Sequence, residues 1–156
     1  MFAPAVMDQF ATDRDFWALL VPELYVRDLA VSRGFYVDVL AFDIKFERPE
    51  ENFIYLEMGQ AQIMLDQMSD NPDHMWRTAE FTPPLGRGVN FQIEVADVAG
   101  LCERVTKAGH DLFRPLGEAW YRQGDHENGQ AQFLVQDPDG YLLRFMQHLG
   151  DRPVKG

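Results

Sequence analysis

Stretches in which every second residue is apolar are interrupted twice along this chain by stretches with helical spacing. From residue 21 the chain alternates, with Leu24 and Val26 on one parity and Val21, Glu23 and Tyr25 on the other. Then Leu29, Phe35, Tyr36, Val39 and Leu40 fall near one face of a helix. Short strand-like runs follow at 42–47, 53–57 and 61–66, separated by the turn-like segments RPEEN and MGQ. The same order returns further on. A strand ending at Val95 precedes a helix carrying Val98, Leu101, Cys102, Val105 and Ala108, and strands are expected near 111–115, 130–136 and 141–147. Asp28 and Asp97, 69 residues apart, stand where each helix needs an N-cap. The pattern is βαβββ, twice.

Four strands share a further regularity. One parity is wholly apolar: Leu24 and Val26; Ile63 and Leu65; Phe91, Ile93 and Val95; Leu143 and Phe145. These positions are expected beneath the helices. The other parity is mixed: Val21, Glu23 and Tyr25; Gln62, Met64 and Asp66; Asn90, Gln92 and Glu94; Leu142, Arg144 and Met146. Such a face either lines a cleft or is simply solvated, as one side of an antiparallel sheet often is. The organisation expected is an arm over 1–18, a first βαβββ module over 19–67, a connecting loop over 68–87, a second module over 88–148 and a tail over 149–156. The connecting loop is rich in Pro and polar residues.

Composition narrows the function. The chain has 156 residues, enough for one domain or two small halves, and 46% of them are hydrophobic, enough for a real core. Fourteen basic against 25 acidic side chains give a net charge of −11. That balance opposes binding to a phosphate backbone, so no nucleic-acid partner is expected. It favours solubility, and it would attract a cationic small molecule. One cysteine, Cys102, excludes an intrachain disulfide and a Cys-rich zinc site. No basic-then-apolar leader opens the chain and no run reaches a membrane span, so a cytoplasmic protein with no membrane partner is expected.

The segment QDPDGYLLRF, 136–145, joins a turn signal to an alternating strand that carries a cation, Arg144, among Leu142, Leu143, Phe145 and Met146. A lone cation there faces solvent or points into a site. Together with VPELYVRD, FYVDVLAFDI and the internal repeat, this segment resembles the vicinal oxygen chelate superfamily over roughly 19–148. That superfamily includes glyoxalase I, extradiol dioxygenases, fosfomycin resistance enzymes and bleomycin resistance proteins. The resemblance implies an α+β fold in which tandem βαβββ modules form an open, cupped mixed sheet, often in a homodimer.

Enzymes of the superfamily hold a divalent metal with His or Glu at the first and last strand of each module. The corresponding positions here are Val21, Met64, Asn90 and Arg144, and a two-residue slip would offer Glu23, Asp66, Gln92 and Met146. Neither set resembles the His, Cys and carboxylate donors that zinc or iron requires. The resemblance therefore points to members without a metal, similar to the bleomycin resistance proteins, and no cofactor is expected. Arg144 would occupy the place of a lost carboxylate ligand, with Glu23, Glu94 or Asp66 available to pair with it.

The remaining candidates are aromatic and polar. GEAWYRQGDHENGQ, 117–130, reads as a loop that places Trp120 and Tyr121 at the rim of the cup, or that pins itself to the core or to a dimer partner. Trp76 and Phe81 carry the same two alternatives. His74, His110, His126 and His148 form no i,i+4 or H-x-H pair. The expected wall is Glu23, Tyr25, Tyr55, Glu57, Asp66, Asn90, Gln92, Glu94, Trp120, Tyr121 and Arg144. The favoured function is sequestration of a bulky organic ligand, preferably cationic, by a homodimer without turnover. The alternatives are a lyase, isomerase or dioxygenase with Glu23, Glu94 or His126 as base, and a dimeric interaction module whose cup is filled by its own side chains.

Overall fold

The computed structural model describes residues 15–69 and 76–155. The chain divides into two compact units, Met1–Thr82 and Pro83–Gly156. Each contains one four-stranded mixed sheet with a helix packed on one face.

In the first unit β1 (Glu23–Val26) pairs in parallel with β4 (Ala61–Gln67), and β3 (Phe53–Met58) and β2 (Asp43–Arg48) continue the sheet in the order β1-β4-β3-β2. Helix α1 (Leu29–Arg33) starts at Asp28, whose carboxylate accepts from the backbone N–H of Ala30 and Val31 at 2.9 and 3.2 Å. The expected helix then widens into a π-helical segment over Gly34–Val39. Phe35 and Tyr36 on this segment are buried, at 3% and 0% exposed. Tyr36 meets Phe42 edge-on at 5.6 Å, and Leu24, Val26, Ile54, Leu56, Ile63 and Leu65 complete the core.

The second unit repeats the plan. β5 (Asn90–Glu94) runs parallel to β8 (Leu142–Pro153), followed by β7 (His126–Gln136) and β6 (Leu112–Gln123) in the order β5-β8-β7-β6. Helix α2 (Val98–Lys107) is capped by Asp97, which accepts from Gly100 N–H at 2.9 Å. Val98, Leu101, Cys102, Val105, Phe133, Val135, Leu143 and Phe145 are buried. The turn before β8 is built by Asp137, whose carboxylate accepts from the N–H groups of Asp139 and Tyr141, both at 2.9 Å. Gly140 takes a φ of 100° there, and a Cβ on it would run into Pro84.

Three expectations change. The expected loop at 117–130 is instead the end of a long β-hairpin, β6 and β7 turning at Gly124 and Asp125. Its polar composition reads as loop, but cross-strand pairs decide otherwise. Trp120 lies against Gly129, and Arg152 and Glu127 face one another across β8 and β7. For the same reason 149–153 are strand rather than tail. Finally, β1 begins at Glu23, so Val21 precedes it. The Pro22 carbonyl still accepts from Met64 N–H at 2.8 Å.

Candidate functional site

Each sheet has a polar face opposite its helix. Side chains at paired positions stand on the same face, so the register gives the layout directly. On the first unit Glu23, Met64, Tyr55 and Phe46 form one row across β1, β4, β3 and β2, and Tyr25, Asp66, Phe53 and Arg48 form the next. Glu57 and Gln62 form a third.

Much of this face is covered by its own chain. Lys45 Nζ lies 3.0 Å from Glu57 Oε2, both side chains being almost wholly buried. Tyr55 donates to Gln62 Oε1 at 2.8 Å, and Gln62 Nε2 donates to the Phe16 carbonyl at 2.8 Å and to Glu57 Oε2 at 3.4 Å. Ala18 N–H donates back to Gln62 Oε1 at 2.8 Å. Between these bonds Trp17 meets Tyr55 edge-on at 5.5 Å, with Lys45 Nζ 4.6 Å from a Trp17 ring. Burial, reinforced by Glu57, pushes the Tyr55 hydroxyl above its usual pKa.

Glu23, Tyr25 and Asp66 gather at the other end. Burial raises the Tyr25 pKa, and the charges of Asp66 and Glu23 add to the effect. Phe81 packs at 5.5 Å from Tyr25, and a hollow of ≈ 10 Å³, the size of one water, lies among Tyr25, Met68, Ser69, Arg77 and Phe81. An open groove of ≈ 340 Å³ lies elsewhere, between α1 and the turn at Pro49–Glu51. Arg33, Asn52, Phe53 and Gln67 line it. None of these is among the residues expected from the sequence, because no motif marks the start of a short helix as a groove wall.

The polar face of the second unit is different. Gln92, Arg144 and Leu134 form one row and Glu94, Met146 and Gln132 the next, with Asn90 beside Leu142 at one end. Beyond them His148 pairs with Gln130, and Asn128 with Asp151 and Tyr121. Asn128 donates to Asp151 Oδ1 at 3.0 Å and accepts from Gln130 Nε2 at 3.2 Å. The Asn128 bond holds the Asp151 carboxyl below its usual pKa, with His148, at 3.4 Å, helping. Gln132 Nε2 donates to Tyr121 Oη at 2.7 Å. Among the described residues, three buried atoms on this face have no hydrogen-bond partner: Gln130 Oε1, Gln132 Oε1 and Arg144 Nε. Arg144 makes no ion pair among the described residues; within its own unit the expected pairing with Glu94 does not form.

Strand alternation separates the two aromatic candidates. Tyr121 lies on the polar face, whereas Trp120 is on the opposite one, with the Arg152 guanidinium 3.9 Å above its ring and Glu127 2.7 Å from Arg152 Nε. His74 lies outside the described residues. His126 contacts Asp125 at 3.1 Å beside the hairpin turn.

The metal expected of enzymes with this fold does not match these donors. Among the described residues no three His, Cys, Asp or Glu side chains come together. The rows that would hold a metal offer Met64 beside Glu23, and Gln92 beside Arg144. A guanidinium repels a divalent ion and cannot ligate one. No helix among the described residues is long and apolar enough to cross a membrane.

Comparison with known proteins agrees with the fold. The family model for the glyoxalase/bleomycin resistance protein/dioxygenase superfamily matches residues 18–145. A bleomycin resistance protein of Geobacillus stearothermophilus is 28% identical over 140 residues, covering 83% of this chain and 96% of the relative. A lactoylglutathione lyase of Neisseria meningitidis is 30% identical over 131 residues, covering 83% and 89%. Among solved structures, TioX from Micromonospora sp. ML1 superposes with a TM-score of 0.66 at 24% identity, covering 85% of this chain and all (100%) of TioX. A protein of unknown function from Agrobacterium tumefaciens gives 0.62 at 26% identity, covering 88% of this chain and 100% of that one.

Proposed function

Since the chain belongs to the glyoxalase/bleomycin resistance protein/dioxygenase superfamily, we propose that it is one of the members that bind a small organic molecule without transforming it. The observation that carries this reading is the polar face of the second unit. Gln130, Gln132 and Arg144 each keep a buried polar atom unpartnered there, beside Leu134, Met146 and Tyr121. Native proteins rarely leave such atoms unmatched, because each costs about 1–3 kcal/mol. Hydrogen-bonding groups set among apolar contact area are what a ligand site requires.

The binder works as a homodimer that sequesters a bulky ligand. The net charge of −11 suits a cationic portion of that ligand. The similarity to bleomycin resistance proteins supports such a role. The donor set argues against the metal chemistry that a lyase of this superfamily would use.

Isothermal titration with bleomycin, followed by mass spectrometry of the recovered ligand, tests the proposal. Saturable heat with the ligand returned unchanged is expected. Absence of saturable heat, or a chemically altered ligand, would overturn it. Sedimentation at micromolar concentration should give twice the monomer mass.

A further inference from the structure

The proposed site has a charge pattern of its own. Arg144 stands between Gln92 on β5 and Leu134 on β7, with Met146 two residues along its own strand. Leu134 and Met146 are 9% and 4% exposed. Glu94 pairs with Met146 in the neighbouring row and makes no ion pair with Arg144. The Arg144 Nε–H is buried and has no acceptor among the described residues. The guanidinium cannot shed its proton to escape this environment. It is a fixed positive charge and a fork of planar donors, held in a partly apolar setting with no ion-pair partner among the described residues.

We propose, building on the binding role above, that the ligand carries a carboxylate, and that this group meets the Arg144 guanidinium on the polar face of the second unit. A planar carboxylate matches the fork with two parallel N–H···O bonds and supplies the missing negative charge. The open amide oxygens, Gln132 Oε1 and Gln130 Oε1, take O–H or N–H donors elsewhere on the ligand. The ring of Tyr121, 40% exposed, contacts its apolar body. The chain's net charge of −11 does not forbid an anion here. Exposed charges beyond about 10 Å are screened by salt, whereas a partly buried pair at hydrogen-bond distance is screened much less.

Benzoate and benzylamine, matched in size and opposite in charge, are the probes. The readout is the side-chain Nε–Hε signal of Arg144 in ¹⁵N-labelled protein, identified by its loss in Arg144→Lys or, should that variant not fold, by triple-resonance assignment of the wild type. Benzoate is expected to shift this signal saturably and benzylamine to leave it in place. Arg144→Gln should weaken benzoate at least tenfold. If benzylamine perturbs the backbone amides of Gln132 and Arg144 while benzoate does not, the inference fails and the binding role stands. If neither probe moves any signal on this face, the inference fails as well. The binding role is judged separately, by the heat of titration with bleomycin.

Discussion

Lys45 and Glu57 face each other across β2 and β3 with Nζ 3.0 Å from Oε2, at side-chain exposures of 4% and 2%. Gln62 adds a second donor to the same carboxylate oxygen at 3.4 Å. A pair buried this deeply contributes little when intact, because desolvation offsets attraction, but removing one partner strands the other. Lys45→Met should therefore cost about 3–5 kcal/mol. Replacing both, Lys45→Met with Glu57→Leu, should recover most of that loss. Urea denaturation measures both, and equal losses in the single and the double variant would show that the pair is not the cause.

Trp17 and Phe46 both pack on the Tyr55 ring. Burial is the main reason the Tyr55 pKa is raised, and Trp17 is the ring packed edge-on against it. Trp17→Ala should admit water and bring the Tyr55 pKa down toward 10.0, the ordinary value. Ultraviolet difference titration of tyrosinate reads this directly. An unchanged titration curve would mean that Trp17 does not shield the hydroxyl.

A steric prediction concerns the hairpin. A Cβ built on Gly129 would come within 2.6 Å of the Trp120 ring. Gly129→Val should cost about 1–3 kcal/mol through overpacking. In the Trp120→Ala background the same change should cost much less, because the ring is gone. Thermal unfolding of the four proteins in this cycle gives the coupling, and simple additivity would count against the contact.

Asp151 supplies a pH prediction. The Asn128 hydrogen bond is the largest cause of its lowered pKa. A group whose folded pKa is depressed contributes stability above its unfolded pKa, and that contribution is lost as pH falls through the folded value. Asn128→Ala should raise the Asp151 pKa toward the ordinary carboxylate value, observable by NMR titration of the carboxyl carbon. The remaining hydrogen bond from His148 should keep part of the shift.

The repeat, both helix caps and the Asp137 turn were legible because each depends on neighbours within a few residues. Asp28 and Asp97 mark helix starts wherever the chain folds. The apolar parity of Leu24, Val26, Phe145 and Leu143 marks the core face for the same reason. The hairpin over 117–130 was not legible. Its strands are held by Trp120 on Gly129 and by Arg152 with Glu127, contacts spanning up to 25 residues. The cover over Tyr55 and Glu57 was equally hidden. Gln62 reaches Phe16 and Ala18 across 46 and 44 residues, and no local pattern announces that. Arg144 lies on the polar parity as its alternation indicates, but sequence could not say that Glu94 in the same unit would leave it unpaired.

The register places Glu23 beside Met64 in one unit and Gln92 beside Arg144 in the other, with Glu23 and Gln92 69 residues apart like the two helix caps. Copies that share a backbone thus carry different side chains on their polar faces. The first spends much of its polar face on closing itself, so substitutions at Lys45, Glu57 or Gln62 are paid in folding. The second leaves Gln130 Oε1, Gln132 Oε1 and Arg144 Nε without a partner among the described residues, so under the proposed binding role substitutions there are expected to act on recognition more than on folding. A duplicated sheet of this kind can change what it binds without renegotiating how it stands.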